Sequence, residues 1–452
     1  MKRSLILLLP GAALAFAAGC VSVDEEVLVA RQAILGGRPA DAAEWSGELA
    51  TNSHRSTRLG QVEAGRVAML SGDASAAERW FRAAIDAAVD RKEGRPVVKL
   101  GDVGDTALSA TVTDDRTREY YLAPYEVNLA LLYGILAQLR NGRRDDALAD
   151  ARLAVYVQDS LAATCGADLR KGADGADAQA AAASGRVCEQ QNAALQEMMA
   201  STRNSWENPV LWWLTGVLFE ANGETEMAAQ SYRKAAACRP GNPVFVRAVA
   251  RLDAGARSPA PGKAKVVVVY EEGLVPMRES LKIPVPVYTA MSIDIPQYAE
   301  ARPYLPGTVS VSGATNLVAA SPALDVRALA ARDLSERLPG VVLRNVTRAA
   351  VAAGAQAAVN AAGNEYAQLA VLLANATATA LRRADTRSWA TLPDGVQVWE
   401  EDAMAPGNYS LGVELGGGRT LSVPLALAAG DVTLVWVADV GQTLATSVVP
   451  LK

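Results

Sequence analysis

Two hydrophobic rhythms divide the chain. From Glu25 to about Asp253 apolar residues recur at i, i+3, i+4 and i+7, the spacing of one helix face. The pattern predicts helix pairs: Val27 to Leu35 with Pro39 to Ala50, split at Gly36-Gly37; Leu59 to Leu70 with Ala74 to Arg91; about Tyr120 to Arg140 with Arg143 to Ala162; and a pair within Pro209 to Pro243, broken at Asn222-Gly223. Two insertions interrupt the series, Arg95 to Arg118 and Thr164 to Gly185. The second is low in complexity and reads as flexible.

Beyond Lys265 the rhythm shortens. Lys265-VVVVYEEG reads as a buried strand ending at Gly273. Ile283-PVPV, Met291-SIDIP and Thr308-VSVSG are short runs bounded by Pro and Gly, hence strands or sheet edges. Gly395-VQVW, Asn408-YSLGVEL, Arg419-TLSVPL, Asp431-VTLVWV and Leu444-ATSVV form a strand series, with Gly416 to Gly418 as a hairpin turn. Between the two groups, Asp325 to Leu338 is amphipathic and Asn345 to Arg383 is dominated by Ala, divided into a hairpin at Gly363-Asn364. The hairpin either touches lipid or lies packed on the sheet. Gln356, Asn360, Asn364, Gln368 and Asn375 are too many polar groups for hydrocarbon and favour packing. The expected fold class is α+β: helical residues 20–253, a Gly/Pro/Ala-rich linker 254–265, and a β-sandwich-like module 266–452 with a helical insert at about 325–383.

The pair at Pro209 to Pro243 is the most readable. Trp212, Gly216 and Phe219 recur on its first helix; Ala228, Tyr232 and Ala235 recur on its second; Pro240-Gly241 ends it. This resembles the tetratricopeptide repeat, with Thr215 where that pattern has Leu. Gly65, Ala77, Phe81 and Ala84 hold the same places in an earlier pair, and Gly72 matches Gly223. Gly142, Ala147 and Ala154 keep register in a third. The resemblance implies close helix packing at Gly216 and Ala228, with Phe219 and Tyr232 filling the space beside them. It also implies a binding groove lined by the first helices: Leu129, Leu132 and Leu136 on one unit, and Val210, Trp213, Val217 and Glu220 on another. That groove is apolar. Either the chain's own second half covers it, or an apolar helix or peptide of an envelope protein does.

At the N-terminus, Lys2-Arg3 precedes an apolar stretch from Ser4 to Ala18, the length of a secretory signal. Ala17-Ala18-Gly19-Cys20 resembles a bacterial lipobox, with Ala17 where Leu is more frequent. The resemblance implies that residues 1–19 are removed and that Cys20 is lipidated, anchoring the protein to a membrane. Val21 rather than Asp follows, which by the same resemblance implies the periplasmic face of the outer membrane. An oxidising compartment permits a disulfide between Cys165 and Cys188, worth about 3 kcal/mol. Cys238 reads as a lone buried thiol.

Composition narrows the chemistry. The formal net charge is −5, or about −7 once Lys2 and Arg3 are cleaved, and no long basic run exists, which argues against nucleic acid. The single histidine, His54, sits in a polar loop; it excludes a His-rich metal site and leaves one candidate base for a nucleophilic triad. Ser231-Tyr-Arg-Lys234 fits S-x-x-K, but it lies inside a repeat helix and no K-T-G accompanies it. No cofactor or metal is implied.

Asp385, Arg387 and Trp389, in Ala384-Asp-Thr-Arg-Ser-Trp389, sit at a helix-to-strand transition, either pinning it or forming a binding surface. With EEGLVP at Glu271 to Pro276 and the strand MSIDIP, this order resembles an uncharacterised family of proteobacterial lipoproteins. In that family a tetratricopeptide half precedes an A-D-T-R-S-W-x-T-L-P motif. Its members are often encoded beside lipoproteins that activate peptidoglycan synthases, which implies a cell-wall setting. The expected function is therefore a non-enzymatic envelope scaffold. A carboxylate-dependent wall hydrolase and a structural subunit of an export or surface-polymer assembly remain alternatives.

Overall fold

The computed structural model describes residues 23–52, 56–92, 95–99, 118–168, 178–284, 292–298, 302–307, 310–312, 317–361, 368, 383–415 and 418–452. Cys20, His54 and most of the second arm of the expected Ala-rich hairpin lie outside them.

The helical half follows the predicted pairing closely. Helix α1 (Val23–Leu35) leads through a 3-10 turn at Pro39–Ala42 into α2 (Ala43–Asn52). Then come α3 (Thr57–Ser71) and α4 (Ala74–Ala88), α5 (Pro124–Arg140) and α6 (Arg144–Asp168), α7 (Ala178–Met199), and α8 (Pro209–Ala221) with α9 (Thr225–Cys238) and α10 (Pro243–Asp253). The turns have visible causes. Gly72 ends α3 at a positive φ of 88°, which a Cβ would disfavour, and the Asp73 carboxylate then accepts the Ala76 N–H to start α4. Asn208 and Asn242 cap α8 and α10, each followed by Pro at the first helical position. A Cβ on Gly216 would stand 2.7 Å from the Tyr232 ring, and one on Gly65 would stand 2.7 Å from Phe81, so both pairs need glycine at their crossing.

The insertions differ from expectation. The stretch read as flexible is helical on both sides: α6 runs on to Asp168 and α7 starts at Ala178. Its abundant Ala is the best helix former, and low complexity concealed that. A hairpin of β1 (Val89–Lys92) and β2 (Arg95–Val98) leads from α4 into the other insertion, Arg95 to Arg118.

The remaining strands are β3 (Ala264–Glu272), β4 (Arg278–Pro284), β5 (Ser292–Tyr298), β6 (Ser310–Ser312), β7 (Leu317–Ala319) and β8 (Ser321–Asp325). After helix α11 (Val326–Ala361) come β9 (Gly395–Met404), β10 (Gly407–Glu414), β11 (Thr420–Leu427), β12 (Val432–Val440) and β13 (Thr443–Pro450). Five form one sheet in the order β13-β12-β3-β9-β8, and four form another in the order β11-β10-β6-β7. Strand β3 runs parallel to β12 and antiparallel to β9. Both faces of β3 are buried, which is why its valines run without alternation. Val267, Val269, Leu434 and Trp436 face the helices; Val266, Val268, Val435 and Val437 pack against Leu411, Val413, Val423 and Leu425 of the smaller sheet. The fold is mixed α+β in three layers: helices, larger sheet, smaller sheet.

Two expected boundaries dissolve. One hydrophobic cluster runs from Ala30 to Leu451, so the helical and β-rich parts share a core. The presumed linker is built into it: Ser258 Oγ donates to the Asp402 carboxylate, and Lys265 lies within β3 at 1% exposure. Within the helical insert, α11 runs unbroken through Pro339 to Ala361, joining the amphipathic segment to the first arm of the Ala-rich stretch; the divide at Gly363-Asn364 lies outside the described residues.

Candidate functional site

The apolar residues assigned to a partner groove are where the chain meets itself. Leu129, Leu132, Leu136, Val210, Trp213 and Val217 are each at most 1% exposed, so of the two coverings considered for the groove, the chain's own is the one that occupies it. On the α3–α5 side the filling is the motif segment from Ala384 to Leu392. The Trp389 ring lies 6.0 Å from Phe81 and 5.8 Å edge-on from Tyr133.

An extended segment entering a helical array brings unpaired backbone groups, and these need partners. Two inward-facing glutamates supply them. Glu126 Oε1 accepts the Trp389 N–H at 2.9 Å, while its Oε2 accepts the Ala123 N–H at 2.8 Å at the start of α5. Glu63 Oε1 accepts the Ala390 N–H at 2.6 Å and its other oxygen accepts the Thr391 hydroxyl. The Thr391 carbonyl accepts from Arg66 Nε at 3.3 Å, and the Ala390 carbonyl accepts from Arg31. Burial raises the carboxyl of Glu126 and pushes that of Glu63 up to about 7. Arg66 Nη2 lies 2.6 Å from Glu271 Oε2, both fully buried; the approach is ionic, because it is off the line of a hydrogen bond.

Asp385 and Arg387 pair with one another, Nε to Oδ1 at 2.8 Å and Nη2 to Oδ2 at 2.7 Å. Arg387 also donates to the Arg118 carbonyl and the Ser56 hydroxyl and lies over the Tyr120 ring. Of the two roles considered for this pair, pinning the segment is the one these bonds perform.

A second buried charge cluster binds α8–α10 to the sheet. Lys265 Nζ lies 2.7 Å from Glu400, 3.2 Å from Asp402 and 3.3 Å from Glu220. Trp213 Nε1 donates to Glu400 at 3.0 Å, and Arg251 Nη2 donates to Glu220 at 2.8 Å. Glu220, expected at the groove, is thus an internal anchor. Glu63, Glu126, Arg66 and Lys265 were missed by sequence reading. Their signal was a charged residue at an inward position of an otherwise apolar face.

A cavity of about 790 Å³ opens between the starts of α8 and α10 and strand β8, the edge of the larger sheet. Arg203, Glu207, Arg239 and Asp325 stand on its wall. Burial raises the Asp325 carboxyl, which accepts the Ala328 N–H at 2.8 Å to cap α11 and also accepts from Ser201. Arg239 donates to the Ser201 carbonyl at 2.8 Å.

The Cys165–Cys188 disulfide is not formed. Cys165 packs against the main core, while Cys188 sits in a separate cluster with Ile293, Ile295 and Leu338. Burial pushes the Cys238 thiol up to about 12. Ser231 is buried in α9, and Lys234 bonds Asp159 at 2.8 Å, so S-x-x-K is helix surface and core rather than a nucleophile. Among the described residues no group of three His, Cys, Asp or Glu is placed to hold a metal, and no helix is long and apolar enough to cross a membrane. No protein-family model, curated protein or solved structure matches the chain.

Proposed function

We propose that this chain is a lipid-anchored, non-enzymatic scaffold at the periplasmic face of the outer membrane, holding envelope proteins, with peptidoglycan synthesis as its setting. On this reading the helix pairs are degenerate tetratricopeptide units and the two face-packed sheets a β-sandwich. The observation that carries it is the self-filled groove. The surface that would take a foreign peptide already holds residues 384–392, so the helical array serves as a frame for the sheets. A frame of this kind offers partners its outer clefts. The cavity beside β8, with Arg203 and Arg239 on its wall, is the contact assigned to a partner. The hydrolase alternative gains nothing from Glu63 and Glu126, which are sealed and already bonded. Photocrosslinkers placed at Arg203 and Arg239 in cells, followed by mass spectrometry, test the proposal. Capture of an envelope protein is expected; adducts to none would overturn the assignment.

A further inference from the structure

Nine large apolar side chains are markedly exposed among the described residues, and three of them share α1: Leu28 at 48%, Val29 at 67% and Leu35 at 41%. Leu28, Gln32 and Leu35 are spaced i, i+4 and i+7, so they form one outward ridge with Val29 beside it. The opposite face, Ala30, Ala33 and Ile34, is buried. The helix cannot roll to hide the ridge, because its inner side is fastened along its length. Arg31 donates to the Val275 carbonyl at 2.9 Å. The Leu35 carbonyl accepts the Gln442 N–H at 2.8 Å, and the Ile34 carbonyl accepts the Thr443 hydroxyl.

What meets this ridge follows from what precedes it. Only Val21 and Ser22 separate Cys20 from Val23. At ~3.6 Å per residue, an acylated Cys20 keeps the start of α1 within about 11 Å of the bilayer. We propose that the Leu28–Leu35 ridge is a membrane-contact face, which with the acyl chains on Cys20 seats the body on a lipid surface in a fixed orientation. Asp24, Glu25 and Glu26 open the helix and would be repelled by anionic headgroups, so the surface is zwitterionic. This inference rests on the lipid-anchor reading above.

The test uses the full-length protein purified from membranes and reconstituted in phosphatidylcholine vesicles. Photoreactive benzoylphenylalanine is placed at Leu28 or, as reference, at the exposed Val246 of α10. The mass of the N-terminal peptide is read first. The expected result is acylated Cys20 and at least about ten-fold more lipid adduct at Leu28 than at Val246, falling when a third of the lipid is phosphatidylglycerol. Equal adducts at the two positions, or crosslinks from Leu28 to protein instead of lipid, would overturn the membrane face while leaving the anchor intact. An unmodified Cys20 would overturn both. An adduct that grows with phosphatidylglycerol would overturn the zwitterionic surface.

Discussion

The Glu126 carboxylate accepts the backbone N–H of Trp389 at 2.9 Å, joining the first turn of α5 to a segment 263 residues later in the chain. The same carboxylate accepts the Tyr120 hydroxyl at 2.7 Å, so one buried acid organises a helix start and the segment that crosses it. The indole beyond that amide packs against both Phe81 and Tyr133, which stack on each other. Trp389→Ala removes the largest side chain of the segment and leaves a cavity where both halves of the chain meet. The expected loss is about 3–5 kcal/mol in urea denaturation. Trp389→Phe keeps a ring there, gives up the 3.1 Å bond from Nε1 to Thr391, and should lose less. A Trp389→Ala variant within about 1 kcal/mol of the parent would contradict this packing role.

Glu63 makes stability depend on pH. Its folded carboxyl titrates at about 7 because burial disfavours the charge, while the unfolded one titrates near its ordinary value of 4.5. Between these values the folded state binds the extra proton. Its contribution is therefore full below about pH 4.5 and is lost as pH rises through 7, by up to ~3 kcal/mol. Denaturation midpoints at pH 5 and pH 8 read this directly. In Glu63→Gln, which cannot ionise, the fall across that window should shrink. An unchanged slope would show that other groups carry it.

The two rhythms of the sequence were enough to place most helices, and strands β3, β5 and β9 to β13, because amphipathic period and Gly/Pro punctuation are local signals. The glycine at each tight crossing, Gly65 and Gly216, was legible for the same reason. The path of Ala384 to Leu392 was not. Burying an extended segment in a helical groove depends on acceptors that lie hundreds of residues away, and a charged residue on an inward helix face does not say which donor it will meet. Strand β8 was hidden because Pro322 interrupts a short edge next to a bulge. The hairpin β1–β2 was hidden because its charged, four-residue strands carry little alternation.

The helix crossings give a paired prediction. Gly65→Ala or Gly216→Ala drives a methyl to within 2.7 Å of a packed aromatic ring, so ring or helix must shift, and a loss of about 1–3 kcal/mol is expected. Gly47, in α2, has nothing within 4 Å of the same added methyl. Gly47→Ala should therefore gain up to ~1 kcal/mol from helix propensity alone. Thermal melts of the three variants decide it. If all three moved in the same direction, close packing would not be the reason for glycine at the crossings.

Lys265 supplies the final case, because it is one of two cations set against three carboxylates in its cluster. Its ammonium is the positive centre for Glu400, Asp402 and Glu220, with Arg251 as the other cation. Lys265→Met keeps the length of the side chain and removes the charge, leaving Glu400 buried beside Asp402 with only the Trp213 N–H for support. Breaking a buried pair from one side costs about 3–5 kcal/mol. Adding Glu400→Gln relieves the stranded charge, so the double variant should recover part of that loss. Urea denaturation of the two single variants and the double variant measures the coupling. Strictly additive losses would mean that Lys265 and Glu400 stabilise the fold independently, and that α8 is not held to the sheet through this pair.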